Sequence, residues 1–246
     1  MYAGPHPEFS AARNPGPPGV VSLQTVNAHA FITGVAICPH PPLLIPQIAA
    51  GAAGEADGLR AACDQAVAWL LGSDPEQVVV VGPQAPTKGV RAFAPGVEGL
   101  NFAGAERPLA LAVGGWLLDR ARTDVRRSFV VVRPDGAPTT EWPDLSVPTA
   151  LLVMGDGSAR RSAKGPGYLD ERAAPFDADL VKALATADVD KLANLDPVLC
   201  EQLLVGGVGA FKALATLAGR APWQAELRYD EAPYGVQYTV ALWARS

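Results

Sequence analysis

A chain of 246 residues suits one α/β domain of ordinary size, and its 49% apolar content is enough for a sizeable core. The 20 Lys and Arg against 25 Asp and Glu leave a formal charge of −5, which excludes a generally basic nucleic-acid binder. Every longer apolar run is broken by Gly, Pro or a charge, so nothing approaches the roughly 20 residues of a membrane-crossing helix, and a cytoplasmic protein is expected.

Residues 1–30 carry prolines and glycines without apolar periodicity and lack the charged start and apolar stretch of a secretory signal. They read as a disordered or extended segment that includes His6. A single domain is expected over 31–246. Ile32 to Cys38 is short, β-rich and closed by Pro39, the pattern of a buried strand. Leu59, Ala62, Cys63, Ala66 and Leu70 then recur on one helical face, with Gly72 as the stop.

Gln77 to Val81 is wholly apolar after its first residue, as a strand covered on both faces requires. Leu109 to Val113 reads as a weaker strand that passes through Gly114-Gly115 into a short helix over Trp116 to Arg122. Ser128 to Val132 and Thr149 to Met154 are two further strands. Phe176, Leu180 and Leu184 share a helical face, with Asp177 placed to cap it. Asp196-Pro197 opens another helix through Leu204, and Val208 to Ala218 a third, ended by Gly219. Trp223 to Tyr229 and Val236 to Ala244 form a hairpin around a turn at 233–235. The whole predicts a three-layer α/β/α fold, its sheet mainly parallel with a C-terminal β-hairpin.

Chemistry is sought just past the strand ends, because open parallel sheets bind ligands outside their carboxyl edge. Three segments stand there: Cys38-Pro39-His40-Pro41-Pro42, Gly82-Pro83-Gln84-Ala85-Pro86 and Gly155-Asp156-Gly157-Ser158. If their strands are neighbours, His40, Gln84, Asp156 and Ser158 converge on one rim. Histidine is scarce, with His6, His29 and His40 the only three, so no downstream histidine serves as a general base. A hydrolase built on Ser158 would depend on His40 or Asp156 and ranks last. Arg160, Arg161 and Lys164 could meet an anionic ligand, although a solvated basic turn is the commoner role of such a run. The cysteines Cys38, Cys63 and Cys200 lie far apart without zinc or redox spacing, which points away from a disulfide framework.

The run Ile37-Cys38-Pro39-His40-Pro41-Pro42-Leu43-Leu44-Ile45-Pro46 resembles the opening motif of the class III extradiol ring-cleavage dioxygenases, the protocatechuate 4,5-dioxygenase β-subunit (LigB-like) superfamily. The resemblance continues through Val78 to Pro83, Met154 to Ser158, Pro166 to Tyr168, Phe176-Asp177 and Ala232 to Val236. It implies an α/β fold, a homodimer, a small aromatic substrate and Fe(II) held by two histidines and a glutamate. His40 matches the first histidine ligand. Gln84 stands where the second is expected and would contact substrate instead, with Arg160 as a second substrate-binding candidate. Glu201 is the positional candidate for the glutamate, and Cys200 an alternative soft ligand, although a small buried hydrophobe is its commoner role. The family's acid/base histidine falls at Ala159, which leaves Asp156 and Ser158 as the catalytic candidates. The resemblance therefore implies an extradiol dioxygenase with impaired ring cleavage, or an inactive relative that binds a small molecule or a protein.

Overall fold

The computed structural model describes residues 28–49, 54–84 and 108–246. His6 and the greater part of the N-terminal segment, 1–27, lie outside the described residues, as do Ala85 and Pro86 of the second rim loop. The chain enters through a 3-10 turn, Ala28–Phe31, into β1 (Ile32–Cys38). A second 3-10 turn over Pro42–Leu44 and a one-turn helix α1 (Pro46–Ala49) follow. Next come α2 (Asp57–Leu71), β2 (Gln77–Pro83), α3 (Leu109–Arg120), β3 (Arg126–Val132) and β4 (Thr149–Met154). The remainder is α4 (Ala173–Ala185), α5 (Val189–Ala193), α6 (Pro197–Gln202), α7 (Val208–Ala218), β5 (Trp223–Glu231) and β6 (Tyr238–Arg245).

These strands form one 6-stranded sheet in the order β3-β2-β4-β1-β6-β5. The β2–β3, β2–β4 and β1–β4 pairs are parallel, while β6 runs antiparallel to both β1 and β5. Alternate side chains of each strand enter opposite cores, as the twofold period of a pleated strand dictates. Ala36, Cys38, Val78, Val80, Leu152 and Met154 pack against α2 and α3. Ile37, Val79, Val81, Leu151 and Val153 pack against α4, α5 and α7. The three-layer α/β expectation with its C-terminal hairpin therefore describes the molecule, and the apolar β1, β2 and β4 are apolar because both faces are covered. Among the described residues, no helix is long and apolar enough to cross a membrane.

Two local expectations are corrected. Leu109 to Val113 is not a strand: it is the first half of α3, which runs unbroken through Gly114-Gly115. Gly114 is tolerated because the helix lies so close to the sheet there. A Cβ on Gly114 would stand 2.6 Å from Val80 Cγ1 and 3.2 Å from Met154 Sδ. Asp177 does not cap a helix; it lies inside α4, fully buried. Asp196 does cap, its Oδ1 accepting from the backbone N–H groups of Val198 at 2.8 Å and Leu199 at 3.3 Å. Asp196→Ala is expected to cost about 1 kcal/mol in a urea-denaturation measurement, the usual loss for such a cap.

Candidate functional site

Strand register builds the rim. Cys38 pairs with Met154 across β1–β4, and Val81 with Val153 across β2–β4. Carried past the strand ends, the first pairing sets His40 opposite Asp156 and the second sets Gln84 level with them. Asp156, on the central strand of the three, stands between the other two. The backbone N–H of His40 donates to Asp156 Oδ1 at 2.8 Å. The same oxygen lies 3.4 Å from His40 Nδ1, with the two side chains only 12% and 15% exposed. That separation is too long for a made hydrogen bond, and Nδ1 is buried without a hydrogen-bond partner among the described residues.

The remaining wall is backbone. The amide N–H of Gly207 donates to the Asp156 carbonyl at 2.8 Å, and that of Gly155 to the Cys38 carbonyl at 2.9 Å. Gly206 faces the pair closely enough that a Cβ there would meet Asp156 Cβ at 3.3 Å and His40 Cε1 at 3.7 Å. Burial pushes the Asp156 carboxyl above the ordinary value, and the opposing pull of His40, through its charge and its N–H, does not cancel it. The pair sets a carboxylate oxygen and an imidazole nitrogen against each other in a half-dry site.

Ser158 is placed differently from the expectation that it lines the rim. It is fully buried, its Oγ donating to Asp177 Oδ2 at 2.5 Å and its backbone N–H to Oδ1 at 2.9 Å. Arg161 reaches the same carboxylate at 3.3 Å and donates to Gln237 Oε1 at 2.5 Å. Gln237 in turn donates from Nε2 to Asp230 Oδ1 at 2.7 Å. The hydroxyl is thus a fastener that ties the loop after β4 to α4, with no free lone-pair path to a substrate. Burial raises the Asp177 carboxyl as well, against the pull of Ser158 and Arg161.

None of the other candidates shares a hydrogen bond or ion pair with His40 or Asp156 among the described residues. Gln84 is exposed past β2, its backbone N–H held by the Val132 carbonyl at 2.8 Å. Arg160 turns to Asp170, with Nη1 3.5 Å from Oδ2 and a buried Nε that has no hydrogen-bond partner among the described residues. Glu201 is exposed on α6. Cys200 lies in a small cluster with Ala173, Leu203 and Val205, where burial pushes its thiol up to about 11. Cys38 and Cys63 are both buried in the core between β1 and α2, where the neighbouring Cys38 thiol and burial raise Cys63 well above its ordinary value. All three cysteines are free.

A facial iron site takes three protein donors at one point. Among the described residues no group of three or more His, Cys, Asp or Glu side chains is arranged to hold a metal ion. His40 and Asp156 are two donors, Gln84 would add a weak neutral one, and Ala159 adds none. The residues present do not fit the Fe(II) set that the opening motif implies.

Several partners in this region were invisible to sequence reasoning. Asp177 has a signal in retrospect: it falls on the α4 face of Ala173, Leu180 and Leu184, where a carboxylate is out of place unless hydrogen-bonded. Gln237, 2% exposed and flanked by Val236 and Tyr238, carries the same mark of a polar group in an apolar run. Gly206 carries none, since its closeness to His40 depends on where the α6–α7 link passes. No protein-family model matches the chain, and no curated protein matches it.

Proposed function

We propose that the chain is a catalytically silent relative of the extradiol ring-cleavage dioxygenases. In this reading it binds a small molecule at the sheet rim through His40 and Asp156 and does not open aromatic rings with iron. One observation carries the proposal: His40 and Asp156 are brought together at the ends of adjacent parallel strands with no third metal donor among the described residues. Ser158 supports it, because a hydroxyl bound to buried Asp177 is withdrawn from the rim. The free, buried state of all three cysteines favours a reducing compartment, and we place the protein in the cytoplasm on that ground.

The competing reading, Fe(II)-dependent ring opening of a catecholic substrate, has one feature in its favour. A carboxylate beside His40 Nδ1 is the arrangement that commonly orients a metal-binding imidazole. Elemental mass spectrometry of anaerobically purified protein separates the two, with a His40→Ala control and oxygen uptake on catechol. Iron far below one equivalent in both samples, with no catechol-dependent oxygen uptake, is the expected result. Near-stoichiometric iron that is lost in the control, together with oxygen uptake, would overturn the proposal.

A further inference from the structure

β5 closes one edge of the sheet, and its outer side meets no other strand among the described residues. The ladder register fixes which of its backbone groups look outward. The Ser246 N–H donates to the Pro222 carbonyl at 3.2 Å, so these two residues form a hydrogen-bonded pair just before β5 begins. Antiparallel ladders alternate hydrogen-bonded with non-hydrogen-bonded pairs. Gln224, opposite Ala244, and Glu226, opposite Leu242, therefore bond to β6. Trp223, Ala225 and Leu227 turn their N–H and C=O groups away from it, toward the open edge.

An open edge is a template for another strand, and proteins blunt such edges with lysine, proline or a bulge. In β5 the irregularity falls between Leu227 and Tyr229, and residues 223–227 before it hold neither lysine nor proline. Their apolar members share one face of the sheet. Trp223 packs its ring 6.2 Å from that of Trp243, Ala225 lies against the same core, and Leu227 is left 38% exposed. This stretch is its own complement. About a twofold axis through Ala225, an antiparallel copy sets Ala225 opposite Ala225 and Trp223 opposite Leu227. All of these are outward-looking residues, so each free N–H finds a free carbonyl. The indole of one copy then covers the exposed leucine of the other, and the small alanines meet at the axis. On the opposite face Gln224 stands against Glu226, an amide against a carboxylate, and no like charges oppose each other. An axis at Leu227 would instead draw the irregular segment into the new ladder.

We propose that residues 223–227 of β5 are a homodimer interface, across which the sheet continues antiparallel into a second copy of this chain. The inference stands on backbone register and side-chain pairing at the β5 edge and does not rest on the function proposed for His40 and Asp156.

Sedimentation velocity of the full chain over a concentration series tests the inference, and a dimer with a micromolar dissociation constant is expected. Ala225→Pro removes an N–H that the single chain does not use, at the kind of edge position where proline is tolerated. It should keep the fold by circular dichroism and raise the dissociation constant by about tenfold or more. Leu227→Lys, a change at an exposed side chain, should weaken the dimer similarly by placing a charge in the paired stretch. Amide hydrogen exchange locates the interface. The Trp223, Ala225 and Leu227 amides should slow by about tenfold or more between dilute and concentrated protein, whereas those of Gln224 and Glu226 bond to β6 in either state and should change little. A chain still monomeric at about 300 µM would overturn the proposal. So would a dimer of unchanged affinity in Leu227→Lys and in a folded Ala225→Pro, or one whose outward β5 amides exchange as fast as in the monomer, because the contact would then lie elsewhere.

Discussion

Asp177→Ala is expected to destabilise the protein by roughly 2–4 kcal/mol, the range for removing one member of a buried, charged hydrogen-bond cluster. The change strands the Ser158 N–H and Oγ in a fully buried site and takes from Arg161 its only carboxylate among the described residues. For a chain of this length the loss corresponds to a fall in the unfolding midpoint of roughly 5–15 °C. Guanidinium titrations of the variant read it directly, and a shift below about 1 kcal/mol would mean that the loop after β4 is held by its backbone alone. Asp177→Asn should cost less, since the amide oxygen can still accept from Ser158.

The pH dependence separates the two variants further. Burial raises the folded-state carboxyl above the ordinary 3.8, so the folded protein holds a proton that the unfolded chain has already released. This group therefore gains stability as pH falls through its folded value toward 3.8, the reverse of a salt-bridged surface acid. The stability difference between wild type and Asp177→Asn, measured from neutral pH downward, should move in favour of wild type over that window. Asp170 acts oppositely. Its hydrogen bonds from Arg172 hold it well below the ordinary value, so its contribution is present above 3.8 and is lost as pH falls toward its folded value.

What the sequence made legible follows from how local each signal is. The strands β1, β2 and β4 could be read because burial on both faces demands unbroken β-rich runs, and Pro39, Gly82 and Gly155 mark where those runs end. His40 and Asp156 were found by the same logic, as polar residues two positions past strands that proved to be neighbours. The α3 helix was missed in its first half because a five-residue apolar run has no period to distinguish strand from helix, and a glycine pair lowers helix propensity. Only the sheet beneath, where Val80 and Met154 leave no room for a side chain, explains Gly114. Ser158 looked like a rim residue because position after a strand says nothing about which way a side chain turns. Its direction is set by Asp177, 19 residues further along the chain, and by an arginine and a glutamine that no spacing rule connects.

Gly209→Ala should be the most damaging single-methyl change near the rim, at roughly 3 kcal/mol or more by urea denaturation. Helix propensity argues the other way, since Ala inside a helix is worth up to about 1 kcal/mol over Gly. The deciding contact is a Cβ at 2.4 Å from the Arg133 carbonyl oxygen and 3.1 Å from its carbon, where ordinary contact begins near 3.4 Å. Both neighbours are backbone, so no rotamer change relieves the overlap. The first turn of α7 would have to lift off the segment that follows β3, pulling on the Gly207 N–H that holds the Asp156 carbonyl. Gly206→Ala is the matched comparison. Its Cβ would meet Asp156 at 3.3 Å and His40 at 3.7 Å, contacts that small shifts absorb, so its stability should stay within about 1 kcal/mol of wild type. The added methyl would nonetheless stand against the His40–Asp156 pair, so this variant should keep the fold and lose ligand access there. If Gly209→Ala instead matched wild type in stability, the close seating of α7 on the loop after β3 would be wrong, and with it the account of how Asp156 is held beside His40.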